Sequence, residues 1–573
     1  MRSDDSPVSR FLISLIERKT GLQDSLFSDY VNILFQRAFD HHSCISLANK
    51  KEDEKKLLSH PAVGGPTDKC PFIIFNNKLY FNKHFQLERE IASMLFNRAE
   101  QLGAGVNLGL KDTLQKVFGE SFSKQKLAAF MAMTQKLTVM SGGPGTGKTT
   151  TVVNILDLIN RLEPDTRISV AAPTGKAARR LQEAINKSKL ANIISSEVST
   201  IHRLLGATIS GREWKFGKGN KLAADLIMID EASMLDLNLM YRLLNAIDNQ
   251  TRLMLVGDPQ QLPSVEAGSV LSDLCSKGES FSEDFRKIAK PFVGEIGITK
   301  SSIFQDTVCN LENVYRFKPE SGIGKLANEL RTRSKNNVII DDKVIFQFSD
   351  RKNLSSLVRN YSEKNLDIFS SKEKKEFSFE ENSNTSAIIC SRRRGTMGSV
   401  QINQEIEWLL EERGLKESGN AFYHGRPIII TENDYRLGLF NGDTGICLED
   451  KASGTFFVKF DGLEQKVAEI QLPSHESSFA ITVHKSQGSE FDHVLFILGL
   501  IDDDTDNPNL INRELVYTAI TRAKKTITIF SDRKTWEAAT SRSSNRISGM
   551  LEHVIDLKSQ KKLQETHGTQ QPD

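Results

Sequence analysis

The stretch Leu137-Thr138-Val139-Met140-Ser141-Gly142-Gly143-Pro144-Gly145-Thr146-Gly147-Lys148-Thr149-Thr150 decides the fold. A β-prone run enters the pattern G-x-x-x-x-G-K-T, and Thr151-Val152-Val153-Asn154-Ile155-Leu156 leaves it with the apolar spacing of a helix. A strand, a glycine-rich turn and a helix in that order curl backbone N–H groups around a polyphosphate and point the positive helix end at it. Gly142, Gly143, Pro144, Gly145, Thr146, Gly147, Lys148, Thr149 and Thr150 are therefore expected to bind ATP. Lys148 would reach the terminal phosphates, and the Thr149 hydroxyl would ligate Mg2+. The element predicts an α/β domain with a parallel sheet.

Downstream, the apolar run Leu226-Ile227-Met228-Ile229 ends in Asp230-Glu231-Ala232-Ser233-Met234. A carboxylate pair at the edge of a buried parallel strand supplies what a nucleotide site lacks, with Asp230 as metal-side acid beside Thr149 and Glu231 as base for the attacking water. A third strand, Arg252–Val256, runs into Gly257-Asp258-Pro259-Gln260-Gln261. An amide beside a γ-phosphate can bond both the phosphate and a neighbouring element, so Gln261 is the expected sensor of hydrolysis. Between loop and acidic pair, Arg167–Ala172 reads as a strand and Pro173-Thr174-Gly175-Lys176-Ala177-Ala178-Arg179-Arg180 as the start of a helix. Its N–H donors, hydroxyl and cations suit a polynucleotide phosphate; alone, an ordinary βα turn explains it as well.

Length and charge bound the rest. The 573 residues predict three to four domains at roughly 150 residues each. Lys plus Arg is 75 against 73 for Asp plus Glu, a net charge of +2 that excludes a polybasic binder without excluding a local basic groove. The cysteines Cys44, Cys70, Cys275, Cys309, Cys390 and Cys447 are dispersed, as expected of free thiols in a reducing cytoplasm rather than of a zinc or redox pair. The apolar run Phe11–Ile16 is too short for a signal-peptide core, and nothing approaches the ~20 apolar residues of a membrane span.

An ordered series of motifs extends the pattern. It comprises Gly142–Thr150, Ala172–Leu181, Ser199-Thr200-Ile201-His202-Arg203-Leu204-Leu205-Gly206, Ile229–Met234, Gly257–Gly268, Val314-Tyr315-Arg316-Phe317 and Leu437–Gly445. It continues with Thr482-Val483-His484-Lys485-Ser486-Gln487-Gly488-Ser489-Glu490-Phe491-Asp492 and Arg513-Glu514-Leu515-Val516-Tyr517-Thr518-Ala519-Ile520-Thr521-Arg522-Ala523. In this order the motifs resemble superfamily 1 DNA helicases of the RecD type, the alpha chains of exodeoxyribonuclease V (the RecBCD complex). The resemblance implies two RecA-like motor domains with parallel sheets, an N-terminal mixed or helical domain and a small SH3-like β-barrel insert in the second motor. It places Gln125 at the adenine edge and directs Arg316 and Arg522 at the γ-phosphate across a cleft. It assigns Thr482, His484, Lys485, Gln487 and Gly488 to the segment between nucleotide and DNA backbone, and Glu490 to a ribose contact. Pro173, Thr174, Lys176 and His202 join the DNA contacts, with a packed structural histidine the open alternative for His202.

The implied layout is an N-terminal docking domain over 1–110, a first motor over 111–320 and a second over 321–573. The first carries a hairpin insertion near 207–222, and the second a β-barrel insert at about 423–476. Pro71–Phe81 reads as a hairpin turning at Asn76-Asn77, followed by a helix through Ala99. Trp214 near the inserted hairpin's tip suits either a wedge against bases or a hairpin-stabilising ring. The stretch 272–308 reads as a loop insertion, Lys372–Glu381 as a solvated charge run, and the tail after Leu557 as frayed. The family reading implies ATP and Mg2+ as cofactors, movement 5′ to 3′ on single-stranded DNA, and a heterotrimer with beta and gamma chains that processes double-strand breaks for homologous recombination. No nuclease constellation is present, so cleavage falls to the beta chain. A stand-alone RecD-like helicase and an inert scaffold are the rival readings; the scaffold predicts damage at Lys148, Asp230, Glu231 or Arg522, and all four are intact.

Overall fold

The structure, a computed structural model, describes residues 6–101, 109–188, 190, 197–208, 213–264, 266–314, 321–332, 343–348, 354–365, 386–434, 436–450, 453–461, 463, 465–499, 511–544 and 546–568. The readings of Arg316 and of the Lys372–Glu381 run lie outside the described residues.

At the N-terminus, helices Pro7–Thr20 and Ser25–Phe39 cover a four-stranded sheet of β1 (Cys44–Ser46), β2 (Val63–Gly64), β3 (Phe72–Phe75) and β4 (Lys78–Phe81), in the order β1-β4-β3-β2. Its core packs Phe27, Val31 and Leu34 against Phe72 and Ile74. The β3–β4 hairpin turns at Asn76 and Asn77, whose φ values of 46° and 57° are the left-handed pair that a two-residue turn needs and asparagine tolerates. Helix Asn82–Ala99 then buries Ile91, Ala92, Leu95 and Phe96 in one core with Leu137 and Val139 of the next sheet.

That sheet contains β5 (Leu137–Gly142), β6 (Ile168–Ala172), β7 (Ser199–Thr200), β8 (Leu226–Ile229), β9 (Arg252–Gly257) and β10 (Val308–Leu311), in the order β10-β5-β9-β8-β6-β7. Every pairing is parallel. Helices cover both faces, which is why these strands are apolar runs rather than alternating ones. The stretch 272–308 is not a loop. Ser282 caps helix Glu283–Val293, which buries Phe285, Ala289 and Val293 beneath helix Lys124–Thr134, with Phe292 stacked 5.4 Å from Phe130.

The second parallel sheet begins with β11 (Val344–Phe348) and β12 (Ser386–Cys390). The chain next forms an antiparallel sheet of β13 (Pro427–Ile430), β14 (Thr444–Asp450), β15 (Thr455–Phe460), β16 (Lys466–Ala468) and β17 (His475–Ser477), with its own core of Ile428, Cys447, Val458 and Phe460. In the order β16-β15-β14-β13-β17 the first four strands form a meander and β17 returns beside β13; among the described residues the outer strands are not hydrogen-bonded to each other. Strand β16 stops at Ala468, where a tight helical turn over Glu469–Gln471 starts. Returning, the chain adds β18 (Ala480–Thr482), β19 (Phe491–Ile497) and β20 (Ala523–Ser531), closing the parallel order β11-β20-β19-β12-β18.

The tail also differs from expectation. It forms helix Met550–Gly568, which lies along helix Asn82–Ala99 and buries Met550 and Val554 in the first sheet's core. Among the described residues no helix is long and apolar enough to cross a membrane.

Candidate functional site

The glycine-rich loop sits at the carboxyl end of β5, between β10 and β9. Gly145 and Gly147 have φ of 78° and 82°, left-handed values that turn the backbone into the start of helix Lys148–Leu162. At Gly142 there is no room for a side chain: a Cβ would lie 2.6 Å from Thr146 Oγ1. Lys148 Nζ donates to the Gly142 carbonyl at 2.8 Å and the Gly143 carbonyl at 3.1 Å, so its ammonium is held against the loop that a polyphosphate would occupy. Thr149 and Thr150 open the helix, and Gln125 Nε2 approaches the Thr146 carbonyl at 3.5 Å from the first turn of helix Lys124–Thr134.

Strand β8 delivers the acidic pair beside this loop. Glu231 adopts φ 51° and ψ 40°, a left-handed conformation that costs a non-glycine residue of order 1–3 kcal/mol and concentrates at functional sites. Asp230 Oδ1 accepts the Glu231 N–H at 2.9 Å. Burial first, then the Glu231 charge, holds the Asp230 carboxyl above the usual range, while Lys148 and Arg180 pull it back.

The loop after β9 joins the two parallel sheets. Asp258, 2% exposed, accepts from Gln261 Nε2 at 3.2 Å and from the Tyr517 hydroxyl at 3.1 Å on one oxygen. Gln261 Oε1 in turn accepts from Arg522 Nη2 at 3.4 Å. Arg522 is 3% exposed and also donates to the carbonyls of Thr518 and Ser489. Leu262 N–H donates to Thr518 Oγ1 at 2.9 Å, and Gln487 Nε2 donates to the Leu262 carbonyl at 3.1 Å. One seam thus carries Gln261, Gln487 and Arg522, three residues singled out in the sequence. A cavity of about 420 Å³ opens beside it, lined by Gly143, Pro144, Asn328, Arg331, Tyr517 and Thr521.

Asp258, Tyr517 and Arg331 were not singled out. Thr518 lies four residues before Arg522, and Tyr517 is the residue before Thr518, within the same motif; Arg331 carries no local motif.

The remaining expected contacts do not gather in one place. Thr174 caps helix Gly175–Lys187 by accepting Ala177 N–H, next to Pro173. Lys176 and Gly488 line a pocket of about 160 Å³ with Arg179, Asp443 and Glu490. Arg180 donates to Glu490 at 2.5 Å, and Lys485 pairs with Glu476. Thr482 Oγ1 accepts Lys485 N–H at 3.4 Å, and His484 is exposed in a separate cleft. His202 is exposed, with its ring 5.5 Å from Trp214, and the Arg242 guanidinium lies over the Trp214 ring at 4.5 Å. Trp214 therefore anchors its hairpin onto the first sheet's domain, which favours the stabilising role over the wedge.

Residues 125–267 match the family model of an AAA domain, and residues 477–529 that of a UvrD-like helicase C-terminal domain. The chain is 33% identical over 526 residues to the RecBCD enzyme subunit RecD of Haemophilus influenzae, covering 84% of this chain and 80% of that protein. The chain belongs to the RecD family. The RecD of Mycolicibacterium smegmatis is 32% identical, with 87% and 85% covered. The ATP-dependent RecD2 DNA helicase of Deinococcus radiodurans is 29% identical, over 73% of this chain and 50% of that one. As a RecD-family protein with this nucleotide site, the chain is an ATP-hydrolysing DNA helicase.

Proposed function

We propose that this RecD-family chain is the alpha subunit of a RecBCD-type helicase–nuclease. It moves 5′ to 3′ on single-stranded DNA, opening duplex ends at double-strand breaks for homologous recombination in the cytoplasm, while a beta chain cuts and a gamma chain completes the heterotrimer. The seam in which Arg522 meets Gln261 beside the phosphate loop carries the reading, because it couples one sheet's nucleotide chemistry to the position of the other.

Within it, Lys148 and the N–H groups of the loop's non-proline residues bind the phosphates, and Gln125 reads the adenine edge. The oxygen donors Thr149 and Asp230 fit a hard cation and would hold Mg2+, whose charge, when bound, offsets that of the transferring phosphoryl group. Two adjacent, half-buried carboxyl groups at Asp230 and Glu231 support a dication there. Glu231 orients and deprotonates the attacking water, and Arg522, with Arg316, stabilises the charge that develops on the phosphoryl oxygens. Gln261 senses the γ-phosphate, and loss of that phosphate loosens the seam. Repeated closing and opening then shifts the grip of Pro173, Thr174, Lys176, His202, Thr482, His484, Lys485, Gln487, Gly488 and Glu490 along the strand. The β13–β17 insert acts as an SH3-like module beside the DNA; its Asp443 is tied to Arg179 at 2.5 Å.

Two observations support the subunit role. The chain is 33% identical to one RecBCD subunit and 32% identical to another, against 29% for the Deinococcus helicase. Val8, Phe11 and Leu15, at helical spacing on the first helix, are 58%, 70% and 40% exposed, an apolar stripe suited to docking on a gamma-type chain. Co-purification tests it: a stable complex with beta- and gamma-type chains is expected, and a fully active monomer indifferent to both would contradict it.

A further inference from the structure

A cleft of about 500 Å³, distinct from the nucleotide cavity, lies where three distant parts of the chain meet. Arg37, His41 and His42 come from the end of the N-terminal helix pair, His484 from the segment after β18, and Arg542 and Arg546 from the C-terminal segment. Leu262, Pro263 and Ser264, directly after Gln261, form its wall toward the seam.

The wall is built, not incidental. Arg546 donates to Ser264, to the Glu266 carbonyl at 2.7 Å and to the Gly268 carbonyl at 2.7 Å, fixing the turn. His41 holds φ 66°, left-handed for a non-glycine residue, and its carbonyl accepts Gly268 N–H at 3.3 Å. His42 Nδ1 accepts Ile547 N–H at 2.8 Å, so in the neutral ring Nε2 carries the hydrogen and acts as a donor. Burial, reinforced by Arg546 and Arg37 respectively, pushes His41 and His42 down, toward neutral donors near pH 7.

The lining chemistry selects a ligand. Arginines and imidazoles are joined by the hydroxyls of Ser264, Ser543 and Ser544, and Asp40, the one acid among the described lining residues, lies 3.6 Å from Arg37. No Phe, Tyr or Trp ring is present among them on which a base could stack. Such a surface binds phosphates and ignores base identity.

We propose that this cleft is a further subsite for the phosphate backbone of single-stranded DNA, with Arg37 and Arg542 as its cationic contacts. The proposal rests on the helicase reading and deepens it: the strand extends past His484 and the Leu262–Ser264 turn onto the N-terminal helix pair. A motor of near-neutral net charge thereby gains grip from a local basic groove.

The test is binding of a fluorescein-labelled oligothymidylate to the full chain by anisotropy, across a salt series. The Arg37→Gln, Arg542→Gln double variant is expected to bind about tenfold more weakly at low salt. Its log K against log salt slope should be shallower by about 1.4, two single-strand phosphate contacts. An Arg37→Lys, Arg542→Lys pair keeps the charge and should keep most of the affinity and slope. Unchanged affinity and slope in the glutamine pair, or equal losses in both pairs, overturns the proposal. Failure of the helicase reading itself would look different, since the unsubstituted chain would then neither bind the oligonucleotide nor hydrolyse ATP on it.

Discussion

Arg522 and Gln261 stand 261 residues apart in the chain, yet the guanidinium donates to the amide oxygen at 3.4 Å with both side chains buried. Gln261 also donates to Asp258, which receives the Tyr517 hydroxyl, so the contact is one link in a chain of bonds from the phosphate loop's sheet to its neighbour. Arg522→Lys retains charge but loses the fork that reaches Gln261, Thr518 and Ser489 together. The expected result is a fall in DNA-stimulated kcat of about a thousandfold, with Gln261→Ala less severe. The double variant should lose less than the sum of the two in a double-mutant cycle; strict additivity would show that the pair does not act as a unit.

Lys148→Gln should lower ATP hydrolysis by about a hundredfold to a thousandfold while leaving the melting temperature nearly unchanged, because Lys148 is bonded to loop carbonyls and supports no core. Steady-state ATPase and thermal melting check this together. Surviving hydrolysis would mean that the loop is not the nucleotide site.

Gly549 meets Tyr80 where the C-terminal helix begins against the N-terminal sheet. A Cβ at 549 would lie 1.8 Å from the Tyr80 hydroxyl oxygen. Gly549→Ala is expected to destabilise the chain by roughly 1–3 kcal/mol through overpacking. Tyr80→Phe, which removes the clashing atom, should rescue most of the loss in denaturant melts; no rescue would place the strain elsewhere.

Stability should also depend on pH at that junction. Glu88, fully buried, accepts from Ser43 Oγ at 2.5 Å and from Gly549 N–H at 2.8 Å, and burial pushes its carboxyl up to about 8. The folded form then keeps a proton that the unfolded chain releases near 4.5, so stability is highest below that value and falls as pH rises toward 8. The slope is about 1.4 kcal/mol per pH unit for one proton. Ser43 can also donate to the Ile547 carbonyl at 3.0 Å, which leaves its oxygen to accept from protonated Glu88 or from a glutamine amide. Glu88→Gln should therefore flatten the profile and stabilise the chain at pH 8; an unchanged profile in urea melts would assign the dependence to other groups.

The loop 142–150 and the acidic pair could be read directly because each is contiguous and ends a strand whose apolar run is unbroken. The Asn76-Asn77 turn was readable for a similar local reason: both positions need left-handed backbone. Asp258 and Tyr517 could not be paired in advance, since their bond exists only once two sheets have docked. The helix Glu283–Val293 was missed although Phe285, Ala289 and Val293 repeat every four residues, because charged neighbours diluted the pattern. The C-terminal helix was missed for a different reason. Its buried positions, Met550, His553 and Val554, lie before the polar stretch, more than 450 residues from the helix they pack near.

A motor that hydrolyses ATP to move 5′ to 3′ on single-stranded DNA is tested most directly on duplexes carrying either a 5′ or a 3′ single-stranded tail. With ATP and Mg2+ the purified chain should displace the strand from the 5′-tailed substrate and leave the 3′-tailed one paired, and Lys148→Gln should unwind neither. Preference for the 3′ tail, or unwinding that survives Lys148→Gln, would contradict the account.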